Sequence, residues 1–166
     1  MRVEDLIVPP GAGEMDWILG LGVRYLIAGA QTGGGLAVVE HPIKPRALAS
    51  PMHTHSREDE VSFVIAGRVG VQIGDLVTVA EPGTIVFKPR GIPHAFWNES
   101  EEEARVLEMI TPAGFDDYFR ELAPLYAEAT NGRPDPERAA ALYAKYGLDL
   151  DISSVPQLIQ AHNLRG

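Results

Sequence analysis

The chain has 166 residues, no cysteine, 45% apolar residues and a formal net charge of −9. That length gives room for one domain of ordinary size with a sizeable core, and the acidity argues against nucleic acid and anionic membrane surfaces, which attract basic patches. Without thiols there are no disulfides, zinc–thiolate sites, iron–sulfur clusters or thiol nucleophiles, so any metal must be held by nitrogen and oxygen.

The first residues, Met1-Arg2-Val3-Glu4-Asp5, lack the basic-then-apolar pattern of a secretory signal. No apolar run approaches the ~20 residues of a membrane span. The expected location is the cytoplasm. Residues 23–28 and 36–40 read as strands around the turn Thr32-Gly33-Gly34-Gly35. Residues 61–66 and 69–73 are β-rich, and their junction at Gly67-Arg68 signals a hairpin. Gly74-Asp75 leads into residues 76–79, and Glu81-Pro82-Gly83 into residues 84–88. Pro89, Gly91 and Pro93 form a stiff loop before residues 94–98 and 105–110 complete the series. Many short strands at regular spacing predict an antiparallel barrel or sandwich.

The pattern changes near Thr111. Phe115, Phe119, Leu122, Tyr126 and Ala129 recur at helical spacing, with Thr111-Pro112 as the expected start and a kink expected at Pro124. Asp135-Pro136 opens a second helix that Gly147 stops, and Ser154 with Gln157 resembles a capping box for a third. The expected organisation is a β-barrel domain over residues 1–110 and a helical extension over 111–166. The apolar stripe of the first helix must be buried, either as a roof on the barrel mouth or on its outer face.

Two tight settings hold three of the five histidines. The first is Pro51-Met52-His53-Thr54-His55-Ser56-Arg57-Glu58-Asp59-Glu60. Residues two apart on a strand face the same way, so His53 and His55 can present their imidazoles to one point. Glu60 opens the next apolar strand, and a short turn can return its carboxylate to that point. In the second setting, a Pro/Gly-rich loop delivers His94 at the head of a strand. Three imidazoles and one carboxylate suit one divalent transition metal per chain (Fe, Ni, Mn, Co, Cu or Zn) rather than calcium or magnesium. A lone His-x-His pair is weak evidence; the joint pattern is far stronger. Glu58 and Asp59 are expected to be solvated loop residues, and His41 and His162 surface residues rather than ligands. Of Phe63, Phe87, Phe96 and Trp97 most are expected in the core. By strand parity Phe96 falls on the His94 face and Ser62 and Val64 on the Glu60 face, which makes these three candidate pocket residues.

The two settings together resemble the cupin superfamily. The first motif matches as His53-x-His55-x4-Glu60-x6-Gly67, with Ala47 where the family has a leading glycine. The second matches completely as Gly83-x5-Pro89-x-Gly91-x2-His94-x3-Asn98. The resemblance implies a mainly β protein, a double-stranded β-helix or jelly-roll barrel with C-terminal α-helices added. It implies metal ligands His53, His55, Glu60 and His94. A single barrel followed by Thr111-Pro112-Ala113-Gly114-Phe115 and helices is similar to the small bacterial quercetin 2,3-dioxygenase-like cupins. That likeness implies a metal-dependent dioxygenase acting on a flavonol-like or other enolisable small molecule, with Glu60 as both ligand and general base. The alternatives are a non-redox metal-dependent cupin (isomerase, cyclase or lyase) and a non-catalytic small-molecule-binding cupin. The expected partners are a small-molecule substrate and a second copy in a homodimer, with the N-terminal strands covering a sheet edge.

Overall fold

The computed structural model describes residues 6–129 and 132–165. Two antiparallel sheets face each other across one core. The first has six strands: β1 (Met15–Ile18), β2 (Leu21–Ile27), β3 (Ala37–Ile43), β10 (Ala104–Thr111), β5 (Asp59–Ala66) and β8 (Ile85–Lys88), in that spatial order. The second has five: β11 (Leu148–Asp151), β4 (Leu48–His55), β9 (His94–Asn98), β6 (Val69–Ile73) and β7 (Leu76–Ala80). Strand periodicity sorts the side chains. On β5, Glu60, Ser62 and Val64 are buried while Phe63 and Ile65 are exposed, which is the alternation a half-buried strand requires.

The expected hairpin at Gly67-Arg68 does not form. β5 and β6 lie in different sheets, because the chain crosses the barrel edge at Gly67. Gly67 has φ 77°, and a Cβ there would meet Ala104 at 2.7 Å, so only glycine fits this corner. The two-residue hairpin is instead at Gly74-Asp75, between β6 and β7, where Ile73 pairs with Leu76. At the position of the missing leading glycine, Ala47 needs no positive φ; its neighbour Arg46 takes the left-handed conformation, at φ 55°.

Three helices follow the barrel strands. Helix α1 (Phe115–Ala127) starts three residues later than Thr111-Pro112 would begin it, with Gly114 as its N-cap, and it runs through Pro124. Thr111 instead ends β10, since residues before proline favour extended backbone. Helix α2 (Pro136–Tyr146) is capped as its sequence predicts: the Asp135 carboxylate accepts from the Glu137 and Arg138 amides, and Gly147 closes it in the left-handed conformation. Helix α3 (Ser154–His162) has no capping box. Ser154 lies inside the helix, where its hydroxyl donates to the Asp151 carbonyl and accepts from the Met52 amide, tying α3 to β4.

The C-terminal segment is more than helical. Its strand β11 pairs with β4, setting Leu150 beside His53 and Leu148 beside His55. A further bridge joins Ala47 to Arg165. Trp97 is fully buried on the outer side of β9, against Leu158 and Leu164. It lies over Gly70, where any Cβ would strike the indole. Phe63 and Phe87, expected in the core with most of the aromatics, are exposed on the outer face of β5 and β8. Their strand parity opposes that of Glu60 and Lys88, which face inward.

Candidate metal centre

β4 carries His53 and His55 on one face, and β9 lies beside it with His94 opposite His53. β5, in the facing sheet, contributes Glu60. One ligand atom from each of the four residues lies within 4.8 Å of all the others, and all four residues are buried, an arrangement that could hold a metal ion. The Pro/Gly loop that delivers His94 is anchored at both ends. Gly91 N–H donates to the His55 carbonyl and Gly74 N–H to the Pro93 carbonyl. Asn98, the last residue of the second motif, is fully buried, with its amide nitrogen within 3.1 Å of the carbonyls of Ile43, Lys44 and Glu102.

The imidazole tautomers follow from their neighbours. Nδ1 of His53 is 2.9 Å from the Pro51 carbonyl, and Nδ1 of His94 is 3.0 Å from the Ile92 carbonyl. A carbonyl only accepts, so each Nδ1 carries the proton and each Nε2 keeps its lone pair. Nε2 of His55 lies 3.5 Å from Glu60 Oε1, and Nε2 of His94 lies 3.3 Å from Glu60 Oε2. Both nitrogens are buried, and among the described residues neither has a hydrogen-bond partner. Such orphaned ring nitrogens are costly in a protein interior. A divalent cation accounts for them, and three nitrogens with one carboxylate are a donor set that fits a transition metal.

Charge is arranged to match. Burial by itself would raise the Glu60 carboxyl, but the Lys88 ammonium and the imidazoles of His55 and His94 outweigh it and hold Glu60 well below the usual carboxylate range. Burial, together with the adjacent imidazoles, holds His53 well below its ordinary value. His94 is lowered chiefly by burial. Glu60 is therefore an ionised carboxylate and His53 and His94 are neutral imidazoles, the forms that bind metals.

Four groups around this cluster depart from expectation or escaped notice. Glu58 is buried, not solvated, and its Oε2 lies 3.6 Å from His55 Nδ1, behind the ligand. Asp59 does point outward, to a two-pronged pair with Arg90 at 2.8–2.9 Å that holds its carboxyl down to about 2. His41 is buried and not at the surface; its Nδ1 donates to the Gly22 carbonyl at 2.8 Å. It lies outside the four-residue cluster, and burial lowers it to about 4. Lys88 and Glu108 meet inside the barrel. The ammonium is 2.9 Å from Glu60 Oε2 and 2.9 Å from Glu108 Oε2, which also accepts from Ser62 Oγ at 2.7 Å. Burial pushes Glu108 up to about 7 against the pull of Lys88. Glu108 was legible as a charged residue at core parity between Val106 and Ile110; nothing comparable marked Lys88. His162 is half-buried and stacks on Trp97 at 3.9 Å, away from the cluster.

Helix α1 brings two aromatic rings to this end of the barrel. Phe115 stands edge-on to His55 with centroids 4.3 Å apart, and Phe119 stands edge-on to His41 at 5.3 Å. The same helix also packs on β1 and α2, which buries the rest of its apolar stripe. Of the pocket candidates, Phe96 and Val64 are buried in the main core and Ser62 is engaged by Glu108.

Comparisons with known proteins agree with this geometry. Residues 40–110 match the family model described as "Cupin domain". A relative in Streptomyces coelicolor, described as an uncharacterized protein, is 38% identical over 55 residues, which is 33% of this chain; the match spans about half of that relative's length, 51%. KdgF from a Halomonas species superposes with TM-score 0.59 at 17% identity, covering 67% of this chain and 96% of that one. An RmlC-like cupin from Shewanella frigidimarina gives 0.56 at 22%, covering 66% and 94%. A predicted oxalate decarboxylase from Thermotoga maritima gives 0.59 at 15%, covering 64% and 98%. At such identities these structures speak to the fold alone. Two facing antiparallel sheets and both histidine motifs give the chain the cupin fold, with the family-model match confined to residues 40–110.

Proposed function

We propose that the chain is a metal-dependent enzyme acting on an enolisable small molecule, and specifically a dioxygenase of flavonol-like substrates. The observation that carries the metal dependence is the convergence of His53, His55, Glu60 and His94 with the His55 and His94 Nε2 atoms buried and unpartnered. The dioxygenase reading rests on the likeness to small quercetin dioxygenase-like cupins described above. A divalent ion held by the four residues would supply Lewis acidity, lowering the pKa of a substrate hydroxyl beside it.

The chain's own residues supply the rest. By the likeness Glu60 would be the base: it is ionised and has a lone pair for the hydroxyl proton, although the Lys88 ammonium that holds its pKa down makes it a weak one. Phe96, Phe115 and Phe119 set apolar rings against Lys88 and the histidines, which would keep water from the centre. Phe115 packs edge-on against His55 beside the centre. The test is oxygen uptake with a flavonol beside anaerobic turnover of the same compound. Oxygen-dependent ring opening, reduced at least about 100-fold in Glu60→Gln, supports the proposal.

A second reading is a non-redox isomerase, cyclase or lyase. The buried Lys88–Glu108 pair favours it, because ionic groups inside the barrel suit a smaller and more polar substrate than a flavonol. The similarity to a predicted oxalate decarboxylase is compatible with the same class. Turnover without oxygen would select this reading.

A further inference from the structure

We infer that Lys88 is a positioning residue for Glu60: its ammonium occupies one carboxylate oxygen, Oε2, and so presents Glu60 to a divalent ion through the other oxygen alone. The inference rests on reading the four-residue cluster as a metal site. It goes beyond that reading by giving a role to a pair of buried charges outside both histidine motifs.

Strand register places the groups. Glu60 on β5 lies directly opposite Lys88 on β8, and Ser62 lies opposite Glu108 on β10. All face the interior. A buried ammonium is costly unless it is paired, and Lys88 is 1% exposed with two carboxylates around it. Those carboxylates are not equivalent. Glu108 Oε2 takes both Lys88 and the Ser62 hydroxyl, so it anchors the ammonium from the far side. The Phe96 ring lies 4.9 Å below the ammonium and limits its movement. Lys88 is thus fixed with Nζ 2.9 Å from Glu60 Oε2.

The consequence is electrostatic. An ammonium on Oε2 repels a divalent ion from that oxygen, while Oε1, 3.5 Å from His55 Nε2, is free of it. A carboxylate with both oxygens free can chelate through two atoms. One held by Lys88 fills a single coordination position, which leaves another for water or substrate. Lys88 also weakens metal binding, since two cations share one carboxylate.

The experiment uses cobalt(II), whose visible absorption reports coordination number. Wild type, Glu108→Gln and Lys88→Met/Glu108→Gln are titrated with cobalt, and folding is followed by circular dichroism and melting. The double variant removes the cation together with its anchor, so no uncompensated charge remains beyond Glu60. It is expected to bind one cobalt per chain at least about tenfold more tightly than wild type, with a shifted, weaker visible band. Glu108→Gln alone should keep the wild-type band, because Lys88 still reaches Glu60. A folded double variant with wild-type band and affinity would overturn the inference. If the double variant does not fold, the infrared difference between zinc-loaded and metal-free wild type decides. Bands of a one-oxygen carboxylate ligand uphold the role of Lys88, and those of a chelating carboxylate overturn it. Failure of wild type to bind cobalt at all would instead remove the metal reading, and the inference with it.

Discussion

Phe115 stands edge-on against the imidazole of His55, ring centroids 4.3 Å apart, and so joins the first helix to the candidate metal centre. The contact makes α1 part of the wall around the ligands. It also places a stability-bearing core residue within reach of the chemistry, because Phe115 is itself buried. Phe115→Ala should cost about 3–5 kcal/mol of stability and speed metal release to a chelator. Melting curves and release kinetics of the same variant check both. A destabilised variant with unchanged release would assign Phe115 to packing alone.

Glu58 backs His55 from the side away from the cluster, with 3.6 Å between its Oε2 and Nδ1. Carboxylates behind a ligating histidine fix its orientation and raise its basicity, and their loss costs roughly 10–100-fold in metal affinity. Glu58→Gln should fall near the low end, about tenfold, by zinc titration. Asp59→Asn, which disturbs only the surface pair with Arg90, should leave affinity unchanged. The reverse ranking would mean that Asp59, not Glu58, supports the site.

The contrast between these two acids shows what the sequence could convey. Motif spacing is enough to bring His53, His55, Glu60 and His94 together, because strand parity and the Pro/Gly loop are local properties. Parity also placed Ser62, Val64 and Phe96 inward. The burial of His41 and Lys88 is not marked in the sequence because it depends on partners distant in the chain, whereas Glu58 differs from the expected loop residue although its neighbour His55 is only three residues away. His41 needs the Gly22 carbonyl and Lys88 needs Glu108 across two strands. The Gly67 corner was misread as a hairpin for a related reason: a glycine turn specifies a change of direction, not which sheet receives the next strand. Likewise β11 is too short and too acidic to announce itself, and exists because β4 offers it an edge.

Acid sensitivity follows from His41. Burial lowers its pKa from 6.5 to about 4. Above pH 6.5 the imidazole is neutral in both folded and unfolded chains, and it contributes no pH dependence. As pH falls below 6.5 the unfolded chain takes up the proton and the folded chain does not, so stability is lost down to the folded pKa. The loss is about 3 kcal/mol between pH 6.5 and 4. His53 and His94 are shifted in the same direction and add to it. Metal-free protein should melt at a lower temperature at pH 4.5 than at pH 7, and His41→Leu should flatten the decline. A melting temperature constant over that range would refute the buried neutral state.

Assembly is expected to involve the outer face of β5 and β8. There Phe63 lies opposite Ile85 and Val61 opposite Phe87, and Phe63, Ile85 and Phe87 are all exposed. β8 is also a sheet edge with unpaired backbone groups. The N-terminal strands, expected to cover an edge, lie at the opposite end of the same sheet. Sedimentation at micromolar concentration should find a homodimer, and Phe87→Asp should convert it to monomer. Wild-type monomer under those conditions would contradict the expectation.

The central claim is that His53, His55, Glu60 and His94 together hold a divalent transition metal. Metal content per chain, measured on protein purified without chelator and on the His53→Ala/His94→Ala variant prepared identically, tests it most directly. About one ion per wild-type chain is expected, with nearly none in a folded double variant. Full occupancy in the double variant, or wild type that takes up no transition metal even when it is supplied, would contradict the assignment.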